Sequence, residues 1–130
     1  MVTISEGAFA KVNLTLDVLD RREDGYHNIK SIMQTISLHD DVIIDIGTEQ
    51  PWQLHCYREV LDETDPQNPV TTLITDGYPQ DAQNLAWKAA KAYYAAAELP
   101  EEGLEIFINK RIPMQAGLAG GSADAAAVLR

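Results

Sequence analysis

The chain has 130 residues, 45% of them apolar and 23% charged, an ordinary balance for a soluble globular protein and a length that fits one domain. Twenty acidic residues against ten Lys and Arg leave a net charge of −10, which argues against a nucleic-acid or anionic-membrane surface, since either needs clustered cations. An anionic ligand is compatible with that balance only if local dipoles and a few placed cations hold it.

The N-terminal stretch MVTISEGAFAKVNL puts an acid and a lysine where a signal peptide needs an apolar run, and no apolar run approaches a membrane span. The expectation is a soluble, cytoplasmic protein. The single cysteine, Cys56, cannot form an internal disulfide, which suits a reducing compartment. It reads as a small half-buried hydrophobe rather than a nucleophile.

In chain order, Val12, Leu14, Leu16 and Val18 alternate with polar residues and predict a half-buried strand, with Lys11, Asn13, Thr15 and Asp17 on its other face. Asp24-Gly25 is a turn dipeptide. Residues 29–38 read as a return strand, 41–46 as another, and 52–57 as a weaker one. Residues 58–83 carry Pro66, Pro69 and Pro79 among Asp, Asn and Gln, and read mostly as loop. A helix is predicted from Asn84 to about Glu98, with Leu85, Ala89, Ala92 and Ala96 as its apolar stripe and Lys88 and Lys91 towards its polar side. Pro100 and Gly103 end it. Residues 104–108 form a further strand candidate before the closing loop and helix. Strands first, then helix, strand and helix, favour an α+β fold.

The closing segment, KRIPMQAGLAGGSADAAAVLR, reads as a strand end, a glycine-rich loop and a helix. Gly117, Gly120 and Gly121 free the backbone and let a ligand approach closely. Ser122 is a natural N-cap, and residues 124–129 favour helix. Unsatisfied N–H groups at the positive end of a helix dipole make an anion site, most simply for phosphate. The same glycines would equally suit a turn that only permits close helix–strand packing. No Gly-Lys-Ser/Thr follows, so this is not a Walker A loop, and the dinucleotide-fold glycine spacing is absent.

The fuller string Pro113-x-x-x-Gly117-Leu118-x-Gly120-Gly121-Ser122-x-Asp124-Ala125-Ala126 resembles the second motif of the GHMP kinases. Ala10-Lys11-Val12-Asn13-Leu14 and Arg22-Glu23-Asp24-Gly25-Tyr26-His27 resemble the N-terminal motifs of the subfamily that acts on a cytidine-diphosphate-linked polyol in the non-mevalonate isoprenoid route. Asn84-Leu85, opening an alanine-rich helix, is a fourth match. The resemblance spans residues 8–130 except about 50–80, where this chain is longer than the family pattern leads one to expect.

What the resemblance implies is specific. The fold would be α+β, the ribosomal-protein-S5 domain-2-like N-terminal domain of a GHMP kinase. The activity would be ATP-dependent phosphorylation of the 2-hydroxyl of the polyol, with Mg²⁺. ATP would be held by Pro113, Met114, Gln115, Ala116, Gly117, Leu118, Ala119, Gly120, Gly121, Ser122 and Ala123, with Asn84, Leu85, Lys110 and Met114 around the adenine and ribose. Lys11 would lie beside the acceptor hydroxyl as the catalytic cation. Asn13, Tyr26 and His27 would bind the substrate, the last two at its cytosine. From the residues alone, Lys11 reads as a solvated lysine, Tyr26 as a turn-packing aromatic and His27 as a surface histidine. Leu85 and Met114 read equally well as core.

Two departures from the family pattern stand out. Ala123 occupies the place of a second serine, removing a hydroxyl ligand for phosphate or Mg²⁺. The family's general-base aspartate lies in a segment well after the glycine loop, whereas Asp17, Asp20, Asp24, Asp40, Asp41 and Asp45 all precede the loop and lack its context. The chain is therefore expected to be an incomplete first domain of a two-domain enzyme, residues 1–130, and inactive alone. His39, His55 and Cys56 match no metal-ligand spacing, so no structural metal is expected. Alternatives are another GHMP kinase, such as homoserine or mevalonate kinase, an RNA-binding module of the S5-like fold, or a catalytically silent fragment. Gly25-Tyr26-His27 speaks against the first and the charge against the second. The expected partner is a small-molecule substrate, with no nucleic acid and no membrane; the sequence does not set the oligomeric state.

Overall fold

In the computed structural model, which describes residues 1–130, β1 (Val2–Arg21) and β2 (His27–Thr48) form one long antiparallel hairpin. A second hairpin joins β3 (Gln53–Asp62) to β4 (Val70–Ile74). After helix α1 (Leu85–Ala96), β5 (Gly103–Asn109) inserts between the hairpins, antiparallel to β2 and parallel to β3. The sheet order is β1-β2-β5-β3-β4, and α2 (Gly120–Leu129) packs on α1, β1 and β2. The α+β expectation holds. No helix is long and apolar enough to cross a membrane.

The core follows from the period of β5. Leu104, Ile106 and Ile108 are buried, while the residues between them are only half-buried. Those three meet Val42 of β2, Leu54 and Cys56 of β3, Ala86 and Ala90 of α1, and Ala127 of α2. Alanine at the helix positions lets both helices sit close to the sheet. Burying each isoleucine in full stabilises the fold by about 2 kcal/mol. Cys56 is a fully buried core residue rather than a half-buried one.

Four expectations need correction. The segments 29–38 and 41–46 are one strand, with a register shift between Phe9↔His39 and Lys11↔Thr35 where they meet. The loop reading of residues 58–83 holds for 63–69 and 75–83 but missed a hairpin: β3 runs to Asp62, and the β-branched run Val70-Thr71-Thr72-Leu73-Ile74 pairs along it as an edge strand, with Pro66 and Pro69 confined to the connection. The buried stripe of α1 is Ala86 and Ala90, one residue off the expected Leu85 and Ala89, with Trp87 packed beside it.

The fourth concerns the first strand. Leu14, Leu16 and Val18 are 62%, 52% and 61% exposed, so the alternation marks a ribbon projecting beyond the helices rather than a half-buried strand. Its phase also breaks. Asn13 pairs with Met33 and Thr15 with Ile32, so β1 advances two residues while β2 advances one. This bulge at Leu14 moves Lys11 and Asn13 onto the face of Leu16 and Val18, away from Thr15 and Asp17.

Candidate functional site

Lys110 follows β5 in the phase of Leu104, Ile106 and Ile108, so its side chain turns into the interior. On β2, Val42 pairs with Ile108, and one more step in the same phase sets Asp40 opposite Lys110. The Lys110 ammonium donates to Asp40 Oδ2 at 2.6 Å and to Asp124 Oδ2, from α2, at 2.8 Å. Asp40 Oδ1 accepts from the Arg111 N–H at 2.6 Å and the Ile112 N–H at 2.9 Å. All three charged residues are buried, and no N–H or hydroxyl donor reaches Asp124 Oδ1, which leaves it to share a proton with Asp40.

These contacts separate the two carboxyls. Burial pushes Asp40 up, but hydrogen bonds from Asp124, the Ile112 N–H, Lys110 and the Arg111 N–H outweigh it and hold Asp40 below the usual carboxylate range. Burial, reinforced by the hydrogen bond to Asp40, pushes Asp124 up to about 8 against the pull of Lys110. Desolvation lowers Lys110, yet its two carboxylate partners leave it above the ordinary lysine value. The cluster therefore places its proton on Asp124 in preference to Asp40, beside a charged Lys110.

The linkage has a definite sign. Asp124 binds its proton more tightly folded than unfolded, so its contribution is full below the ordinary aspartate range and is lost as pH rises towards about 8. Asp40 acts oppositely, its contribution being lost in acid as pH falls through its depressed folded value. Thermal melts should show stability falling from pH 5.5 to 8.5, a window set by the Asp124 value of about 8. Asp124→Asn, which fixes the neutral form, should flatten that fall; a parallel fall in the variant would refute the assignment of the proton. Cys56, which burial raises to about 11, contributes only at higher pH.

Above this cluster runs the glycine loop. The N-cap of α2 is Ala119, at φ 59° and ψ 34°, and no side chain caps the helix. Ser122 is therefore not the N-cap: the helix starts at Gly120, and Ala119 already accepts the Ala123 N–H at 2.9 Å. The N–H groups of Gly120, Gly121 and Ser122 are left as unpaired donors at the positive end of the dipole. Gln115 (φ 56°) and Ala119 also hold left-handed backbone, which costs a non-glycine residue about 1 kcal/mol each. A Cβ on Gly120 would lie 2.9 Å from Ile112 Cγ2 and 3.3 Å from Lys110 Nζ, whereas one on Gly121 would lie 3.4 Å from Leu85 Cδ1.

Between this loop and the start of α1 lies a cavity of about 320 Å³, walled by residues 113–122 with Asn84, Leu85, Lys110, Cys56, Tyr78 and Asp124. The fold thus gathers most of the expected loop and base-side residues. Ala123 is the exception and packs against the core. Leu85 and Met114 stand 46% and 48% exposed on the wall, so neither is a core residue. Asn84 caps α1, its Oδ1 accepting from the Ala86 N–H at 2.9 Å while its Nδ2 donates to the Pro79 carbonyl at 3.0 Å. Lys110 reaches the wall with its ammonium already committed to two carboxyls.

Lys11 and Asn13 lie outside the cavity wall but beside the loop. The Lys11 N–H donates to the Leu118 carbonyl at 3.1 Å, and its ammonium donates to Asn13 Oδ1 at 3.3 Å. Tyr26 and His27 sit at the ribbon tip, where Gly25 turns at φ +87° and the Tyr26 N–H donates to Asp24 Oδ1 at 3.0 Å. No contact joins them to the cavity; about ten residues of strand, on the order of 30 Å of contour, separate the tip from Lys11.

Sequence reasoning assigned no role to Asp40, Asp124 or Gln80. The Gln80 amide accepts from the Cys56 N–H at 2.8 Å and donates to the Cys56 carbonyl, completing the open edge of β3 beside the cavity. The signal for Asp40 was present: Asp40, Val42 and Ile44 share one phase of β2.

Residues 84–130 match the family described as GHMP kinases N terminal domain. The 4-diphosphocytidyl-2-C-methyl-D-erythritol kinase of Clostridium beijerinckii is 42% identical over 123 residues, covering 95% of this chain and 37% of the relative. The kinase of the same name from Geobacter metallireducens is 42% identical over 129 residues, covering 99% of this chain and 40% of the relative. The chain thus spans about two fifths of the length of the curated relatives it matches. A crystal structure of 4-(cytidine 5'-diphospho)-2C-methyl-D-erythritol kinase superposes with a TM-score of 0.68 at 37% identity, covering 97% of this chain and 38% of that one.

Proposed function

We propose that the chain is an N-terminal domain of a GHMP kinase and forms the ATP-binding part of a cytoplasmic kinase that phosphorylates the 2-hydroxyl of 4-diphosphocytidyl-2-C-methyl-D-erythritol. The observation that carries this reading is the uncapped start of α2. Three unpaired N–H donors face a cavity whose other wall, Leu85 and Met114, offers apolar surface to a base.

Phosphoryl transfer requires a held triphosphate, neutralised charge and an acceptor placed in line. The loop donors hold the phosphates, and Lys11, tethered to the loop through Leu118, supplies a cation for charge developing at the acceptor. Mg²⁺ accompanies ATP and neutralises phosphate charge when bound; it keeps several waters, and Ser122, the sole hydroxyl residue of 113–124, is the side chain that would hold it. Tyr26 and His27 take the cytosine, which requires the ribbon tip to approach the loop; bulges on β1 are where such a ribbon bends.

Calorimetric titration of the chain with ATP tests the reading, and no binding at millimolar nucleotide would overturn it. The base-binding role has its own test. In a full-length enzyme carrying this ribbon, Tyr26→Ala is expected to raise KM for the cytidylyl substrate about tenfold, from ~1–3 kcal/mol of stacking, with KM for ATP almost unmoved. Equal shifts in both constants would make Tyr26 a structural residue.

A further inference from the structure

The buried cluster of Asp40, Lys110 and Asp124 lies on both sides of the glycine loop. Asp40 holds the strand entering it, through the N–H groups of Arg111 and Ile112. Asp124 stands on α2, just past the three unpaired donors. The Lys110 ammonium joins them, at 2.6 Å and 2.8 Å. From residue 113 to 118 the loop makes one hydrogen bond, the Leu118 carbonyl accepting from the Lys11 N–H. Its shape therefore depends on how its ends are fixed.

We propose that Asp40, Lys110 and Asp124 form a staple across the two ends of the glycine loop, positioning the α2 donors that receive nucleotide phosphate. The proposal deepens the nucleotide reading and rests on it. A buried ion pair is a poor way to add stability, because desolvation offsets most of its attraction, but it fixes geometry in a way apolar contacts do not. Here a directional ammonium with two acceptors sets the separation between the end of β5 and the first turns of α2. Gly120 tightens the same joint, since its missing Cβ leaves room for Ile112 and the ammonium. These three are positioning residues: they act on ligand through the loop.

The test pairs ATP with adenosine, which lacks the phosphates, and adds amide exchange, which needs no nucleotide. Lys110→Met should raise the Kd for ATP about tenfold or more while that for adenosine stays within about twofold. The amides of Arg111, Ile112 and Ala123 should exchange faster together, with those of α1 unchanged. Unchanged ATP affinity, equal loss of ATP and adenosine in a folded chain, or loosening at one end only would each overturn the staple. Should Lys110→Met fail to fold, Asp124→Ala decides on the same readouts. It leaves Lys110 paired with Asp40, and should weaken ATP about threefold or more and speed exchange at Ala123. A wild-type chain that binds neither ligand would refute the nucleotide reading, while the exchange result would still decide for or against the staple.

Discussion

Gly120→Val is expected to weaken ATP binding by about 30-fold or more, from roughly 2–3 kcal/mol of overpacking transmitted to the donors. Gly120 does not hold left-handed backbone; what it lacks is room. A Cβ there already falls 2.9 Å from Ile112 Cγ2 and 3.3 Å from the Lys110 ammonium, and valine adds two methyl groups. Ile112 is buried and cannot retreat, so either Lys110 leaves its carboxyls or the start of α2 swings outward. Both outcomes move the N–H groups of Gly120, Gly121 and Ser122. Gly117→Ala is the useful contrast: it meets nothing within 4 Å and suffers only its φ of +73°. Its effect should be near tenfold or less, since left-handed alanine costs about 1–2 kcal/mol. Calorimetry with far-UV circular dichroism on both variants measures this, and wild-type affinity in Gly120→Val would remove the loop from the site.

Supplied with ATP, Mg²⁺ and the cytidylyl substrate, residues 1–130 alone are expected to turn over at least about 100-fold more slowly than a full-length relative. A positioned general base contributes about 10²–10⁴-fold, and none is free at this cavity. Asp124 is the one carboxyl on its wall, but it is buried, tied to Lys110 and pushed by burial towards its neutral form. The acceptor also needs orienting, and Tyr26 and His27 project on an exposed ribbon without contact to the loop. Following ADP release settles the matter: turnover within tenfold of the relative would mean the base lies within these residues, with Asp124 the first to reassign.

Much of the site was legible because its signals are local. Asn84 predicts a helix start through its own side chain, and the glycines with Ser122 announce the loop. Where the helix begins was misjudged at Ser122 because a glycine pair adopts helical backbone without a capping side chain. Lys110 shows the other kind of limit. Its burial was implied by the alternation of Leu104, Ile106 and Ile108, yet its partners come from 70 and 14 residues away. Only strand register brings Asp40 opposite it. The bulge at Leu14 was invisible for a related reason, since the count of residues on one strand is defined only against the other. The exposed ribbon misled through its pattern: alternation says that two faces differ, and not that anything covers the apolar one.

The position of β5 has a consequence for how the molecule assembles. β1 with β2, and β3 with β4, are hairpins of near neighbours, the kind of contact that forms in about 1–10 μs. Neither hairpin touches the other in the sheet. Both wait for β5, whose pairings Asp41↔Asn109 and Gln53↔Glu105 close segments of 68 and 52 residues. Until that closure, the inner edges of β2 and β3 present unpaired N–H and C=O groups beside Val42 and Leu54, an open template for another chain. The loop proposed to bind phosphate starts directly after β5, so the candidate site cannot exist before that long-range closure is made. Competence for ligand and protection from aggregation arrive in the same event.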